Sequence, residues 1–584
     1  MDVRLPDLWA SIEKDLTVLS VFRQKRLEHL KEFAGSNYTD SGSELPNPLN
    51  LLSLFVKTML PHLAGADPRM MVSTFDSSLR SFVKIMEDHG NKRLERMQFG
   101  DILRSSIVDA LFLMGIARVA ITAPDDARFN SYESPPGEVG ITTIDFQDFF
   151  FDTRATKFSQ CSYIGHFYDA RYDAVVQSPR YEKKQKLKIV PAEEPVYNFD
   201  GDARIQEIMK GTSASTEGYQ EYVRLAEVYL PLVNKIVTFD VNGDRDKPLL
   251  VQDWIGPKCG PYHFLSFGEI PGQIVSKAPI MDLVDLHRSV NLLWRKLDNQ
   301  AAEAKTCFAY LDADEAKKYK DAQDQGWFQT NNPDSVKAVT TPGPNPQVAA
   351  HTSIELSMFN EHAGNLRTLG GLQSQAQTAT QENQMLQTAS NLVRSMSLRT
   401  IQFAQKLMNS LMWFEWEHPY RNMQTEHHPR GLSGYSTTRV ISPEDRMGKP
   451  YEDWDVRVDP YSLRFETPES KVRSIDQLMK EVLIPGLPLF GQPGVRELME
   501  TYVRMKARYE NNPDMIELLE KLIGVGPPAQ DRSGAPQAPM PPQTTRNYVR
   551  ESRPGMTDQG HQQLLQQMMA GGQTNQGETV PMAG

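Results

Sequence analysis

Apolar residues recur at helical spacing near the middle of the chain. Their steps of three, four, three and four residues run through Leu283, Leu286, Val290, Leu293 and Leu297. Charged residues occupy many of the intervening positions, so these side chains form a narrow stripe of the kind found in coiled coils. We call these five positions the seam. The pattern predicts a helix over 281–305 that packs against copies of itself or a close partner, rather than inside a globular core.

A detour and two more helices are predicted after the seam. A compact excursion covers 306–349 and contains a short helix at 314–321. A returning helix over 350–369 begins with Thr352-Ser-Ile-Glu355, which has the form of a capping box. The segment 379–417 contains neither proline nor glycine and predicts a helix of roughly 55–60 Å. Long rods separated by a detour are typical of struts in a larger assembly.

The flanking regions differ in their periodicity. Residues 5–115 have the spacing of helices, whereas 116–275 have mainly the alternation of strands, with Asn242-Gly243 at a hairpin turn. After the long helix, strands are predicted at 437–441, 454–458 and 462–466, and helices at 468–484, 493–510 and 513–523. Residues 525–584 are rich in Pro, Gly, Gln and Met, so we expect disorder there. The fold class expected is α+β and predominantly helical.

Composition narrows the possible partners. The net charge of -11 over 584 residues argues against a protein that grips nucleic acid through many Lys and Arg contacts, but it permits DNA to slide past. The three cysteines show no CxxC spacing, so neither a disulfide framework nor a zinc ribbon is expected. The longest apolar run is interrupted by Asp109 and Arg118, and we expect no membrane span.

Catalytic patterns are missing from the sequence. It has no P-loop, no GxSxG elbow and no HExxH, so we expect no enzyme activity, no cofactor and no metal. Cys259 and His263 share a Gly/Pro turn, and a structural role is favoured there. Four residues whose side chains can bind metal ions lie in a polar connector: His418, Glu426, His427 and His428. Their spacing follows no fixed period, so a solvated loop is favoured over a metal site.

A neutral polar loop precedes the long helix. It contains two glycines, which permit a sharp bend, and uncharged side chains: Gly370, Gly371, Gln373, Ser374, Gln375 and Gln377. By itself this is typical of an ordinary helix–helix connection. The functional alternative is a loop that faces a polyanion, because amides and hydroxyls contact phosphates without holding them as tightly as Lys and Arg do.

The order of elements over residues 1–524 resembles that of the portal (head–tail connector) proteins of tailed double-stranded-DNA bacteriophages, in particular those of the short-tailed type. The strings that contribute are Ile144-Asp-Phe-Gln-Asp-Phe-Phe-Phe-Asp152 with Ala155-Thr156, Tyr163-Ile-Gly-His166, Phe267-Gly-Glu-Ile-Pro271 and Thr378-Ala-Thr-Gln-Glu-Asn383. The succession of helix, excursion, returning helix, glycine loop and long helix carries more weight than any one string.

The resemblance implies a division of the chain into portal parts. These are an N-terminal wing (1–280), a stem helix (281–305), a small α/β clip (306–349), a returning stem helix (350–369), a tunnel loop (370–378), the long helix with wing strands (379–466) and a helical crown (467–524). The tail expected to be disordered (525–584) lies beyond the resemblance. The clip residues expected to dock partners are Asp312, Glu315, Lys317, Lys318 and Trp327. Arg295 and Lys296 are the candidates for charge facing the channel.

The resemblance also implies a function. Portals of this type form rings of twelve subunits at one capsid vertex, in the virion and, during assembly, in the host cytoplasm. They act as passive conduits for genome packaging and ejection. The partners implied are other copies of the chain, double-stranded DNA held without sequence specificity, the major capsid protein, the terminase large subunit and a head–tail adaptor; no membrane is involved.

Two alternatives stay open at this point. The first is a virion-associated, metal-dependent hydrolase that uses the His418, His427 and His428 region. The second is a scaffolding or interaction protein that is built on long helices and does not form rings. Burial of the seam leucines inside a single chain would count against the portal interpretation.

Overall fold

The computed structural model describes residues 5–35, 49–122, 137–182, 222–243, 247–321, 336–340, 343–369, 379–427 and 437–459, with single positions at 189, 329, 331, 462, 480 and 502. For some of these residues, 379–390 among them, it describes the backbone alone. The chain divides into two units, 1–525 and 526–584, and every described residue lies in the first.

The N-terminal region is helical, as predicted. Its helices are α1 (Leu5–Ala34), α2 (Leu51–Ala64), α3 (Val83–Arg96) and α4 (Phe99–Phe112), with a 3-10 turn at Ser77–Phe82. The expectation of helix throughout 5–115 is wrong at β1 (Met70–Thr74), which pairs antiparallel with Trp454–Val458. This strand depends on a partner from the other end of the described chain, so no local pattern reveals it.

Two antiparallel sheets form the β-rich region and confirm the prediction of strands over 116–275. Their strands are β2 (Gly115–Ile121), β3 (Val139–Ile144), β4 (Phe149–Phe151), β5 (Ile164–Arg171), β6 (Tyr222–Leu230), β7 (Lys235–Asp240), β8 (Leu250–Asp253) and β9 (Tyr262–Leu265), with helix α5 (Tyr172–Gln177) after β5. The orders are β3-β2-β9 and β4-β5-β6-β7-β8. Lys235 lies opposite Asp253, which confirms the hairpin around Asn242-Gly243.

The middle of the chain follows the predicted order of rods and detour. A 3-10 turn leads into α6 (Val284–Glu303), followed by β10 (Thr306–Tyr310), α7 (Ala313–Asp321), β11 (Val336–Thr340), α8 (Pro346–His362), α9 (Leu366–Leu369) and the long helix α10 (Ala379–Glu417). The short helix expected at 314–321 and the long helix expected at 379–417 are confirmed as α7 and α10. The sequence did not place the strands β10 and β11 at particular residues, although the resemblance implied an α/β excursion.

The start and end of the returning helix differ from the prediction. Asn345 is the N-cap: its side chain accepts a hydrogen bond from the backbone N–H of Gln347 at 2.9 Å, and Pro346 occupies the first turn. The predicted capping box at Thr352 is wrong, because Thr352 lies inside α8 and donates to the carbonyl of Val348. The helix also ends before 369, because Gly364 and Asn365 have positive φ angles of 84° and 58°.

The long helix α10 is anchored in the main core through its C-terminal half. Phe403, Leu407 and Leu411 are buried at steps of four residues, in one cluster with Leu103 and Ile107 of α4. The helix lies against α2 and strands β2, β3 and β9. Burial of each such side chain stabilises the fold by about 1.5–3 kcal/mol. This contact holds the helix that follows the predicted tunnel loop firmly in the body of the chain.

The C-terminal described region contains β12 (Met423–His427), β13 (Thr437–Ile441), α11 (Pro443–Arg446) and β14 (Trp454–Val458). The strands predicted at 437–441 and 454–458 are confirmed. The predicted strand at 462–466, the three crown helices and the tail at 525–584 lie outside the described residues, apart from single positions. Among the described residues, helices and strands from α1 through to β14 contribute to one main core, which supports the α+β class.

Candidate functional site

The antiparallel pair α6 and α8, with the excursion between them, is the part of the structure that matches the predicted stem and clip. At 1.5 Å per residue, α6 extends about 30 Å and α8 about 25 Å. The two helices lie side by side. They carry β10, α7 and β11 at the end where α6 stops and α8 begins.

The seam is divided between core and surface. Leu283 and Val290 are 1% and 0% exposed and belong to the same buried cluster as Phe359 of α8. The expectation that the seam packs against other copies is therefore wrong for these two residues, because the returning helix and the main body already cover them. Leu286 is partly buried against that core, and Leu293 and Leu297 are half-buried.

The outer part of the helix pair leaves the core altogether. Among the described residues from Leu292 through the excursion to His351, no side chain whose exposure is known is buried. The strands β10 and β11 pair with each other and pack mainly on α7, with the ring of Phe308 5.6 Å from that of Tyr319. The excursion therefore stands at the tip of a two-helix projection.

Exposed apolar side chains are concentrated on this projection. Large apolar residues are at least 43% exposed at Leu292, Trp294, Phe308, Tyr310, Leu311, Tyr319, Ile354 and Met358. Ile354 and Met358 stand four residues apart and so share one face of α8. Contiguous exposed apolar surface on a protein commonly marks an interaction site. The projection is therefore the strongest candidate for contact with another protein.

The charged clip residues have a local role in the structure. The side chain of Asp312 accepts a hydrogen bond from the backbone N–H of Asp314 at 3.0 Å, at the start of α7. Lys317 and Lys318 are exposed in the second half of this helix. Acidic groups at the start of a helix and basic groups near its end stabilise the helix, because they interact favourably with its dipole. The Glu315 side chain and Trp327 lie outside the described residues.

The proposed channel residues are only partly described. Lys296 is exposed and Arg295 is half-buried on the outer part of α6. The tunnel loop candidates lie outside the described residues, namely Gly370, Gly371, Gln373, Ser374, Gln375 and Gln377. The structure thus places both of these α6 charges on the projection.

A polar junction that the sequence did not reveal ties the base of α6 to α1. Glu32 of α1 accepts a hydrogen bond from Arg288 Nε at 2.9 Å, and its other oxygen lies 3.8 Å from His287 Nε2. Burial lowers the pKa of His287 to about 4, although the Glu32 carboxylate opposes that shift. Asn291 connects the same place to Leu49, whose backbone N–H donates to Asn291 Oδ1 at 2.9 Å. The projection is therefore rooted by polar contacts as well as by core packing.

The C-terminal end of α10 is held by a buried ionic network. Glu415 contacts His89 at 3.2 Å, Arg93 at 3.0 Å and Arg421 at 3.1 Å. These partners hold the pKa of Glu415 below its usual value even though burial opposes that shift. Arg446 donates to the carbonyls of Glu415 at 2.6 Å and of Trp416 at 2.7 Å, and so satisfies the acceptors that a helix end leaves unpaired.

The residues considered for catalysis are placed as follows. His263 Nε2 lies 2.9 Å from Ser410 Oγ in the core, and burial lowers the pKa of His263 to about 4. Cys259 Sγ lies 3.7 Å from the same Ser410 Oγ, so His263 bonds to the serine rather than to the thiol. His418 is half-buried, while the side chains of Glu426, His427 and His428 are outside the described set. In the described part of the chain, no three His, Cys, Asp or Glu side chains are grouped to hold a metal ion.

Comparisons with known proteins do not place this chain in a family. No protein-family profile matches the sequence, and no curated protein matches it. Within the described ranges, no helix combines the length and apolar character that crossing a membrane requires.

Proposed function

We propose that this protein is the subunit of a portal-type ring, acting as a passive conduit for double-stranded DNA at a capsid vertex. The observation that supports the proposal most is the two-helix projection that carries a small strand–helix–strand unit at its tip. It is followed, after residues 370–378, by a helix of 39 residues anchored in the body. This succession is the one that the resemblance to portal proteins implies.

The proposed division of labour follows from burial. The halves of α6 and α8 nearest the body bury one face in the core, while other faces of the two helices expose apolar side chains such as Leu292, Ile354 and Met358. An isolated subunit would leave this apolar surface in water, whereas neighbours in a ring would cover it. The excursion would then dock the terminase large subunit and later a head–tail adaptor, and other surfaces of the ring would meet the major capsid protein.

The electrostatics fit a conduit rather than a clamp. With a net charge of -11 per chain, a ring would repel DNA over most of its surface and keep the duplex central and mobile. Positive charge would enter the channel only at rings formed by positions such as Lys296. Work on the DNA would have to come from a partner ATPase, because the chain has no P-loop.

Burial of Leu283 and Val290 within the chain favours a second candidate. Because the chain itself already buries Leu283 and Val290, α6 has less apolar surface to cover by contact with a partner than a helix with a fully exposed seam would have. The protein would then be a scaffolding or interaction protein that presents the projection without forming a ring. Native mass spectrometry and end-on negative-stain images separate the two candidates: large closed rings with a central opening support the portal, and only monomers or dimers support the alternative.

Deletion of 312–325 tests the docking role of the excursion. The variant removes α7 but retains the helices that would form the ring. We expect rings of unchanged symmetry that no longer bind the packaging motor or the adaptor, scored by co-sedimentation and by packaging of DNA in vitro. Normal packaging by the deletion variant would contradict the proposed docking role.

A further inference from the structure

The described residues of the unit at the tip of the projection form no core of their own. It consists of two five-residue strands, β10 and β11, and the nine-residue helix α7. From 304 to 321 no side chain of known exposure is buried, and Phe308 and Tyr310 stay 53% and 58% exposed beside the helix. A two-stranded sheet alone is marginally stable in water, and three or more strands are normally required. The unit therefore gains stability from whatever extends it.

Both strands offer an edge for such an extension. In the described chain, β10 and β11 pair only with each other, so each keeps one backbone edge outside the ladder. Proteins commonly guard such edges with charge, proline or a bulge. The β10 sequence Thr-Cys-Phe-Ala-Tyr has no charge and no proline. Its edge is thus well suited to accept another strand.

We propose that β10 of one chain pairs with β11 of a neighbouring copy, so that the tips form a continuous intersubunit sheet. The inference rests on the proposed ring. The edge that β10 leaves unpaired in the described chain differs in sequence from the edge that β11 leaves unpaired. Pairing these unlike edges head to tail around a rotation axis leaves no edge unpaired once the ring closes. The same neighbours would cover the apolar face at Ile354 and Met358 on the adjoining helix.

The charge of the tip favours a second copy over a charged partner. Over 306–321 and 336–340, four acidic residues are balanced by four lysines, so copies can meet without net repulsion. A strand from a strongly acidic or basic protein would gain little attraction from this unit. The completed sheet would form the docking surface only in the assembled ring, because each strand pair between neighbouring copies takes one strand from each of two subunits.

Cysteine cross-linking tests the pairing. Cys307 lies exposed on β10, Cys161 is buried, and Cys259 can be replaced by Ser to remove the other exposed thiol. In that C259S background, single cysteines are placed in turn at positions 336 to 340 of β11, and purified rings are oxidised and run on non-reducing gels. A disulfide requires Cβ atoms about 3.5–4.5 Å apart, so only closely paired positions react.

We expect covalent multimers larger than dimers at alternate positions of β11, because side chains alternate between the two faces of a strand. Val339→Cys faces Cys307 within its own chain and should mainly close an internal loop. The matched controls carry the same β11 cysteines together with Cys307→Ser, and they should lose the multimers.

The outcomes separate the inference from the function on which it rests. Rings in the micrographs with no multimers at any of the five positions would overturn the intersubunit sheet and leave the ring intact. Equal cross-linking at adjacent positions would show proximity without strand pairing and would also overturn it. Absence of rings in every preparation would overturn both the sheet and the proposed function.

Discussion

At the scale of single residues, buried polar groups make more contacts that hold the fold together than do the exposed charges that are conspicuous in the sequence. Glu415, with no side-chain exposure, organises Arg93 and Arg421 around the end of α10. His263 and His287 are kept neutral in the core by burial, which lowers the pKa of each to about 4. By contrast, Lys317 and Lys318 lie on the surface of a short helix.

Replacing Glu415 should destabilise the fold strongly. Glu415→Gln removes one buried negative charge and leaves Glu138 as the remaining acidic partner of Arg93 and Arg421, and weakening a buried ion-pair network in this way costs up to about 3–5 kcal/mol. Urea unfolding followed by circular dichroism measures the loss. Glu417→Gln is the control, because Glu417 is exposed two residues away and its change should be within about 0.5 kcal/mol. Equal stability of the two variants would show that the network contributes nothing.

The two buried histidines predict a pH dependence of stability. Their folded-state pKa values near 4 lie below the 6.5 expected in the unfolded chain, so the unfolded state takes up protons first as the pH falls. The stability that the two neutral histidines contribute is fully present above pH 6.5 and is lost between pH 6.5 and 4, by roughly 3 kcal/mol for each histidine.

Unfolding free energies measured from pH 7 to pH 4 check this dependence. His287→Gln should flatten the decline, because the variant no longer binds a proton at this position on unfolding. His362→Gln, at an exposed position near the end of α8, should keep the decline of the parent chain. Identical pH profiles for the parent and His287→Gln would contradict the assignment.

At the scale of elements, the corner between α8 and α9 sets the direction of the chain before the predicted tunnel loop. Gly364 has a φ of 84°, and a Cβ at this position would lie 2.8 Å from Leu392 Cδ2 of α10. The corner therefore requires a left-handed backbone, and the Leu392 side chain of α10 occupies the space that a Cβ would enter. A sequence pattern that continues past 362 cannot reveal this requirement, which is why the returning helix appears longer in the sequence than in the structure.

Substitution of this glycine should cost more than strain alone. Gly364→Ala combines the left-handed penalty of about 1–2 kcal/mol with displacement of Leu392. Gly448→Ala isolates the penalty, since its φ is 75° and nothing lies within 4 Å of the added Cβ. Thermal unfolding should rank Gly364→Ala below Gly448→Ala, and Gly448→Ala below the parent. The reverse order would show that Leu392 does not crowd the corner.

At the scale of the whole molecule, the distribution of exposed apolar surface is the feature that points to assembly. The body also exposes large apolar side chains, such as Phe75 and Leu232, but on the projection Ile354 (58% exposed) and Met358 (43% exposed) stand one helical turn apart on the same face of α8. Exposed apolar side chains that share one face commonly contribute to a contact with another protein. The ring proposed above is one way to cover this face.

Charge introduced on this face should prevent assembly without unfolding the chain. The double variant Ile354→Lys and Met358→Lys should shift native mass from rings to monomers, because lysine ammonium groups would be buried between copies. Circular dichroism and thermal unfolding should stay close to those of the parent.

The matched control is Val18→Lys with Val21→Lys, an apolar pair on α1 that is 50% and 55% exposed. The control should assemble normally. Rings that persist in the Ile354/Met358 variant would remove this face from the interface.

The sequence by itself determined the local elements: the periodicities place α6, α7, α10 and the strands of the β-rich region, because each depends on near neighbours along the chain. Tertiary structure alone decided the pairing of β1 with Trp454–Val458, the burial of Leu283 and Val290, and the ionic network of Glu415. Those features depend on residues that meet only after folding. An apolar stripe indicates that a helix face must be covered, but it does not show what covers it: here the chain itself buries Leu283 and Val290, whereas Leu293 and Leu297 are only half-buried.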